Sequence, residues 1–367
     1  MRSLLGLPLA ALAAALAPHI DRPFRARQVY DAIHRRGQLD FEGMTDLAQP
    51  LRAALAERFD LALPAIASTV TSSDGTSKYL LRLADGASIE AVDIPDRDRR
   101  TLCISSQAGC GLACAFCVTG FWGAGRNLTA SEIVGQVFLI RRVAQLPPGV
   151  NLVFMGMGEP LLNLDAVRDA LTVLSETVSW RRVTVSTAGV VPGIDQLGTW
   201  AKRPNLAVSL HAADDRLRSE LMPINRTYPL AELMAALRRY PLEARRRITI
   251  EFTLIRGVND DLAQADALAR LLRGLPTKIN LIPFNPDRVL PATFAPPEDR
   301  QLDAFRDRLE KRGYTATVRR RRGGDVAAAC GQLRAFDRSP RGPRATGRLV
   351  AGDPRSGKLR SSPPDQR

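Results

Sequence analysis

The sequence predicts an α/β fold: a full or partial (β/α) barrel preceded by a small helical and β accessory domain. Three observations carry this reading. Apolar, β-branched runs recur at residues 101–105, 151–155, 182–186, 205–210, 247–254, 278–283 and 314–318. Helical patterns separate them at 131–143, 164–174, 230–239, 262–272 and 297–312, and strand, helix, strand at this spacing builds a parallel sheet through crossover helices. Ahead of residue 72 the period is helical instead, so a differently built region precedes the barrel. The expected division is an accessory domain over 1–95, a barrel core over 96–335 and a tail over 336–367.

Taken in order, residues 4–17 are apolar and alanine-rich, with Arg2 before them. The outline is that of a secretory signal, but the stretch lacks the roughly 18 continuous apolar residues of a membrane span. It also runs through Pro18 into a helix start at Asp21-Arg22-Pro23, so it reads as a helix of the first domain. In the next helix Asp21 is placed to cap, Pro23 suits the first turn, Val29, Ala32 and Ile33 share a face, and Gly37 ends it. More helix follows over 51–59. Arg25, Arg27, Arg35 and Arg36 fall on or near the exposed side, where they suit a solvated face and a grip on nucleic-acid backbone equally well.

At Ser72 the period changes to alternation, with turn signals at Asp74-Gly75 and Asp85-Gly86 around strands at 78–83 and 88–94. Glu90 lies in the second of these. A lone carboxylate in a strand is usually solvated, and position alone gives it no role.

In barrels and open parallel sheets ligands bind at the carboxyl ends of the strands, so the residues after each run decide function. After the first run come Cys110, Cys114 and Cys117; after the second, Met155-Gly156-Met157-Gly158-Glu159-Pro160; after the third, Ser186-Thr187-Ala188-Gly189. Ser209-Leu210-His211 follows the fourth and Pro283-Phe284-Asn285-Pro286 the sixth. Gly158 permits close backbone approach, Glu159 can pair with an ammonium, and Ser186, Ser209, His211 and Asn285 offer hydrogen bonds suited to an amino-acid and ribose ligand.

The 367 residues, 45% hydrophobic, suffice for a large domain plus a smaller one. Lys and Arg number 52 against 38 Asp and Glu, for a net charge of +14 rich in arginine, which points to an anionic polymer as partner. Five cysteines, an odd number, argue against an exported disulfide framework. A monomer in the reducing cytoplasm, away from membranes, is expected. Residues 338–367 carry eight Lys or Arg and two Asp, about +6, in a Pro-, Gly- and Ser-rich context that reads as disordered. Such a tail either adds nonspecific affinity for a polyanion or is merely solvated.

Cys110, Cys114 and Cys117 are spaced x3 then x2, without the paired spacing of a four-ligand zinc site. A cubane iron–sulfur cluster has four irons, normally one thiolate each, so three thiolates leave one iron open. The spacing resembles the radical S-adenosylmethionine (SAM) superfamily, in which SAM chelates that iron through its amino and carboxylate groups. Cys103 and Cys330 remain. Buried cysteine is commonly a small hydrophobe, and each alone reads so.

Longer motifs extend the likeness. Cys103-Ile104-Ser105-Ser106-Gln107, Met-Gly-Met-Gly-Glu-Pro, Ser-Leu-His, Met222-Pro223-Ile224-Asn225 and Ala328-Ala329-Cys330-Gly331-Gln332-Leu333 together resemble the RlmN/Cfr family of radical SAM RNA adenine methyltransferases, over roughly residues 4–333. The resemblance implies a [4Fe-4S] cluster on Cys110, Cys114 and Cys117, and two SAM molecules per turnover. It also implies SAM contacts at Gly158, Glu159, Ser186, Ser209, Leu210, His211 and Asn285, and an electron donor such as flavodoxin. The substrates it implies are 23S rRNA at the peptidyl-transferase centre and, for the RlmN branch, tRNA next to the anticodon.

The resemblance further implies a division of labour among the remaining residues. Cys330 takes a methyl group from one SAM by displacement, which requires a thiolate. The reduced cluster cleaves a second SAM to a 5′-deoxyadenosyl radical, which takes hydrogen from the S-methyl group. The carbon radical adds to adenine, a carboxylate matching Glu90 removes the ring proton, and Cys103 releases the product by forming a disulfide with Cys330. A radical route suits the target, because adenine C2 and C8 offer no lone pair to an electrophilic methyl. The Glu159-Pro160 pair and the full N-terminal domain favour C2; Cfr-like C8 methylation is the alternative, and a noncatalytic RNA-binding or zinc protein a remote third. One departure stands before Cys330, where Arg322-Gly323-Gly324-Asp325 has glycine in place of a more usual second acid.

Overall fold

The computed structural model describes residues 1–334 except 98, 148, 320 and 321; the expected basic tail over 336–367 lies outside the described residues. Strand β1 (Arg2–Ser3) pairs in parallel with β2 (Phe59–Asp60), and between them lie helices α1 (Leu9–Leu16), α2 (Phe24–His34) and α3 (Gln49–Ala56). The helix expected over 4–17 starts late. Pro8 occupies its first cap, and Gly6 lies so close to the main barrel that a Cβ there would sit 2.3 Å from the Ser131 nitrogen. Pro23, and not Asp21, precedes α2, which no side chain caps; Asp21 instead lies 3.7 Å from Arg25. The helix expected to reach Phe59 ends at Ala56, and Phe59 enters β2.

The remainder is organised by one ten-stranded sheet. Strands β3 (Ala65–Thr71), β4 (Ser77–Arg82) and β5 (Ser88–Asp96) run antiparallel, and β6 (Arg99–Cys103) pairs antiparallel with β5 but parallel with β7 (Asn151–Phe154). Strands β8 (Val183–Thr187), β9 (Asn205–Ser209), β10 (Ile248–Leu254), β11 (Thr277–Pro283) and β12 (Ala316–Val318) then add in chain order, all parallel. The barrel is therefore partial: among the described residues β12 is not paired back to β6, and the sheet continues instead into the antiparallel hairpins. Strand β3 has no counterpart in the sequence pattern because every one of its residues is exposed, so burial imposes no alternation on it.

The crossovers carry α4 (Val118–Trp122), α5 (Ala130–Val143), α6 (Leu164–Leu174), α7 (Val191–Gly198), α8 (Asp215–Leu221), α9 (Leu230–Arg239), α10 (Leu262–Leu271) and α11 (Asp299–Lys311). Helix α5 opens with a capping box: the Glu132 N–H donates to Thr129 Oγ1 at 3.2 Å, and the Thr129 N–H to Glu132 Oε2 at 2.8 Å. Asp214 and Asp261 cap α8 and α10 in the simpler way. The helices absent from the sequence pattern, α4, α7 and α8, span five, eight and seven residues, too short to display a 3.6-residue period.

One apolar core runs beneath both regions, from Leu4, Leu12 and Ile33 to Phe154, Ile250, Phe252 and Phe305. A second cluster, including Val118, Leu217, Leu221, Met222, Phe284 and Phe294, packs above the strand ends. Beyond β12 the chain crosses back over the sheet. Ser72 Oγ donates to Asp325 Oδ1 at 2.6 Å, the Gly323 N–H donates to Asp74 Oδ2 at 3.0 Å, and Lys78 Nζ donates to the Ala327 carbonyl at 3.1 Å. Residues 322–334 thus strap the open side of the partial barrel to the β3–β5 hairpins. No helix among the described residues is long and apolar enough to cross a membrane.

Candidate active site at the barrel mouth

The three-cysteine loop leaves β6 and is fastened on every side. The Cys110 N–H donates to the Gly123 carbonyl at 2.9 Å, Ala115 N–H to Leu221 at 2.9 Å and Cys117 N–H to Cys114 at 3.1 Å. Ala113, between two of the cysteines, holds a left-handed φ of 52°, a conformation that costs a non-glycine residue free energy and that the surrounding bonds maintain. The loop is also tied to the strap: Val118 N–H donates to the Gly331 carbonyl at 2.7 Å, and Thr119 Oγ1 to the Leu333 carbonyl at 2.7 Å. Cys330 is thereby held beside the loop although more than two hundred residues separate them.

A cavity of about 160 Å³ opens at the strand ends and is lined by Cys110, Cys114, Cys117 and Cys330 together with Gly158, Glu159, Ser186, Ser209, His211 and Asn285. Of the expected cofactor contacts, Leu210 alone is absent from the lining: its side chain is fully buried in the core, and its carbonyl accepts from Arg218 Nε at 3.2 Å. Gly158, at φ 97°, presses on the polypeptide itself, since a Cβ there would lie 2.5 Å from that of Gln107. Glu159 is buried and clamps two turns, accepting from the Leu161 N–H at 3.0 Å and the Ala188 N–H at 2.7 Å. Burial pushes its carboxyl up to about 7 against those donors. His211 accepts from the Thr253 N–H through Nδ1 at 2.8 Å, and burial, with Arg218 nearby, holds its pKa down to about 3. The ring is neutral, so Nε2 carries the proton and is a donor.

Cys330 lines a second, much smaller cavity as well, in company with Cys103, Met155 and Arg319. All five cysteines are free thiols. Burial pushes the Cys103 thiol up to about 12, with Cys330 adding to the effect. The Asn285 side chain reaches the Cys330 carbonyl at 3.1 Å, so one residue at the end of β11 touches both the large cavity and the strap.

Glu90 departs from the solvated carboxylate that its strand position suggests. It is fully buried, and it lines neither of these cavities but an adjoining one between the hairpins and the strap, with Lys78, Asp325 and Arg334. Lys78 Nζ lies 3.1 Å from Oε1, and the Arg334 N–H donates to Oε2 at 2.6 Å. Burial raises its pKa; the Lys78 ammonium opposes that shift. Its backbone is fixed to the cysteine-loop approach, since the Glu90 carbonyl accepts from Ser105 Oγ at 2.6 Å and the same Oγ accepts from the Met157 N–H at 2.9 Å.

Known proteins match this chain over most of its length. The profile of the Radical SAM superfamily matches residues 104–269, and that of the ribosomal RNA large subunit methyltransferase N-terminal domain matches residues 2–61. A dual-specificity RNA methyltransferase RlmN of Marinobacter nauticus is 47% identical over 356 residues, covering 93% of this chain and 95% of its own length. The chain belongs to the RlmN family. An RlmN of Syntrophobacter fumaroxidans is 49% identical over 318 residues, covering 85% of this chain and 92% of the relative. The crystal structure of a radical SAM methyltransferase from Sphaerobacter thermophilus superposes with a TM-score of 0.85 at 46% identity, across 91% of this chain and all of that one.

The radical SAM fold implies a [4Fe-4S] cluster and SAM, and the residues fit them. Burial raises the pKa of the Cys110, Cys114 and Cys117 thiols, and they repel one another as thiolates, a penalty that cationic iron offsets. Among the described residues no three His, Cys, Asp or Glu side chains converge as a single ion requires; three thiolates on a cubane each meet a different iron and need no common centre.

Three further side chains, none marked by the motifs, support or line the mouth. Arg218 is fully buried and donates to the carbonyls of Ala188 at 2.7 Å, Ser209 at 3.2 Å and Leu210 at 3.2 Å, and to Asn225 Oδ1 at 2.8 Å. It ties the ends of β8 and β9 to the Met-Pro-Ile-Asn segment, and no periodic signal marks it. Glu251 lines the main cavity from inside β10, accepting from Asn280 Nδ2 at 3.0 Å. A carboxylate in an otherwise fully buried strand was its available signal. Arg319 faces both cavities and stands at the end of β12, where the strand-end rule, applied to the last run, finds it.

Proposed function

We propose that the protein methylates C2 of an adenosine in 23S rRNA at the peptidyl-transferase centre and of the adenosine 3′ of the anticodon in tRNA, through an S-methylcysteine on Cys330. One observation carries the proposal furthest: Cys330 lines both the cavity of the three-cysteine loop and the smaller cavity of Cys103. A carrier that must meet SAM on one side and a resolving thiol on the other needs that position. The dual-specificity RNA methyltransferase name of the relatives supports two RNA substrates, and the net charge of +14 suits them.

Cys110, Cys114 and Cys117 would hold the cluster, which when bound supplies the electron that splits SAM. Glu159, Ser186, Ser209, His211 and Asn285 would orient the amino-acid and ribose parts of SAM, with Gly158 keeping the wall thin and Leu210 contributing backbone alone. Cys330 accepts a methyl group as its thiolate. Once the carrier's carbon radical has added to the adenine ring, Glu90 takes the ring proton and the adduct's unpaired electron would return to the cluster, leaving a closed-shell adduct. Cys103 then attacks the Cys330 sulfur; the S–C bond breaks, its electron pair stays with the carbon and picks up a proton as the new methyl group, and a Cys103–Cys330 disulfide remains. That disulfide needs reduction before another cycle, which suits a reducing cytoplasm and a flavodoxin-like electron donor acting on a monomer. The division into an accessory domain over 1–95 and a core over 96–335 accords with gripping RNA while an unstacked base enters the mouth.

The test is reconstitution with iron and sulfide, incubation with rRNA and tRNA transcripts, and mass spectrometry of nuclease digests against 2-methyladenosine and 8-methyladenosine. The expected product is 2-methyladenosine in both RNAs, with loss of iron, sulfide and product in Cys110→Ala, Cys114→Ala and Cys117→Ala. The 8-methyl isomer, or activity in any of those variants, refutes the proposal.

A further inference from the structure

We propose that the cleft between the ends of α2 and α5 binds phosphate groups of the RNA substrate, as a second contact remote from the barrel mouth; the inference rests on the reading of RNA as substrate. The cleft measures about 440 Å³, and His34, Arg35, Arg36, Phe138, Arg141 and Arg142 are among its lining. It lies where the two matched regions meet, with 34–40 from the N-terminal region and 138–146 from the radical SAM region.

Its distance from the mouth follows from α5. The residues just before that helix are bound to the cysteine-loop approach, Leu128 N–H donating to the Ser106 carbonyl at 3.1 Å and Gln107 Nε2 to Asn127 Oδ1 at 2.7 Å. Arg141 and Arg142 stand in the last turn of the same 14-residue helix. At about 1.5 Å per residue the two ends are roughly 20 Å apart.

The charge in the cleft is only partly answered from within the protein. Arg35 pairs with Glu176 at 2.9 Å and Arg36 with Asp46 at 3.0 Å. Arg141 donates to the Thr177 hydroxyl at 3.0 Å, and among the described residues neither it nor Arg142 has a carboxylate partner. Asp40, the acid in the lining, is already engaged by Gln38 and by the Gly43 N–H. A place on the last turn of α5 complements the negative end of the helix, which explains a cation there but not an open cleft. Nor does it explain His34, which is 2% exposed, packs edge-on to Tyr30 and Phe138, and has no hydrogen-bond partner among the described residues at either ring nitrogen. Both ring nitrogens are closed off from solvent, so His34 walls the cleft and the guanidinium groups beside it carry the phosphate contact. Guanidinium forks match phosphate geometry, and spaced phosphates beside a flipped base are what a structured RNA presents to a flank of the enzyme.

The experiment compares the wild-type full chain, with its cluster reconstituted, and an Arg141→Gln/Arg142→Gln double variant. Both are titrated with whole tRNA and with a short hairpin that carries the target adenosine but cannot reach the cleft, over a series of salt concentrations. The expected result is about a tenfold weaker affinity of the double variant for whole tRNA and a salt slope smaller by about one to two. Hairpin affinity and RNA-independent SAM cleavage should not change. The exposed single variant Arg142→Gln, with an intermediate loss, guards against misfolding of the double variant. Unchanged tRNA affinity and slope overturn the inference, as does an equal loss for hairpin and tRNA, which would put the effect at the mouth. Preserved RNA binding with impaired reduction by an acidic electron-transfer protein would assign the cleft to that partner and overturn it too. If wild-type enzyme neither binds nor methylates RNA, the functional proposal itself fails; if it does both and the variant matches it, the cleft inference alone fails.

Discussion

The backbone N–H of Arg334 donates to Oε2 of Glu90 at 2.6 Å, joining residues 244 positions apart in sequence. The strap that delivers Cys330 to the mouth is thus latched to the carboxylate proposed as base. Lys78 holds the other oxygen at 3.1 Å, and both side chains are buried.

Two substitutions separate the base from the latch. Glu90→Gln keeps an oxygen for the Arg334 N–H but cannot take a proton, so turnover should fall by about a hundredfold or more, with methyl loading of Cys330 and cluster content preserved. Lys78→Met leaves the carboxylate buried without its cation, and removing one partner of a buried pair costs about 3–5 kcal/mol. Denaturant midpoints and labelled-methyl incorporation measure the two effects. Near wild-type turnover in Glu90→Gln would remove Glu90 from the chemistry.

Arg218 should matter chiefly to architecture. Arg218→Met leaves three carbonyls and Asn225 Oδ1 without their donor inside the protein, and each buried unsatisfied group costs about 1–3 kcal/mol. Urea unfolding of the variant is expected to show a loss of about 3 kcal/mol or more, partly restored by Arg218→Lys. A loss under about 1 kcal/mol would mean that water or rearranged side chains replace the guanidinium.

The barrel was legible because each parallel strand sends β-branched and other apolar side chains into the core, as in β10, where Ile248, Ile250, Phe252 and Leu254 enter the core while Glu251 and Thr253 between them line the cavity. The strand-end rule then located most of the cavity, since chemistry on this fold is confined to one end of the sheet. What escaped depended on distant partners. Glu90 looks like any strand carboxylate until Lys78 from the neighbouring strand and Arg334 from the strap are brought to it. Arg218 belongs to a short helix whose burial comes from loops around it. Strand β3 pairs with β4 while every one of its residues stays exposed, and so it leaves no trace in side-chain pattern.

His34 supplies a pH signature away from the catalytic centre. Burial holds its pKa down to about 4, against the 6.5 of an ordinary histidine, and Asp31 on its own helix opposes that shift. Arg35, Arg36, Arg141 and Arg142 line the cleft beside it, with Tyr30 and Phe138 against the ring. Between about 4 and 6.5 the unfolded chain binds a proton that the folded chain refuses, so this contribution to stability is complete above about 6.5 and is lost as pH falls toward 4. Relative to His34→Gln, the wild-type protein should lose on the order of 2 kcal/mol between neutral pH and about pH 4.5. Parallel pH profiles for the two proteins would show that His34 titrates normally.

Cys103 and Cys330 are chemically identical thiols on one small cavity, and only their order of action distinguishes them. Cys330→Ala should accept no methyl from labelled SAM, yet keep its cluster and cleave SAM without coupling to RNA. Cys103→Ala should load the methyl, form the radical and join it to adenine, then stop, because no other described cysteine shares that cavity to attack the Cys330 sulfur. Protein isolated from cells expressing Cys103→Ala should therefore carry covalently attached RNA, visible on a denaturing gel as a shifted band that ribonuclease collapses. The band should be missing from the Cys103→Ala/Cys330→Ala double variant, which has no carrier. Multiple turnover by Cys103→Ala, or attached RNA in the double variant, would mean that the carrier and resolving roles belong to other residues.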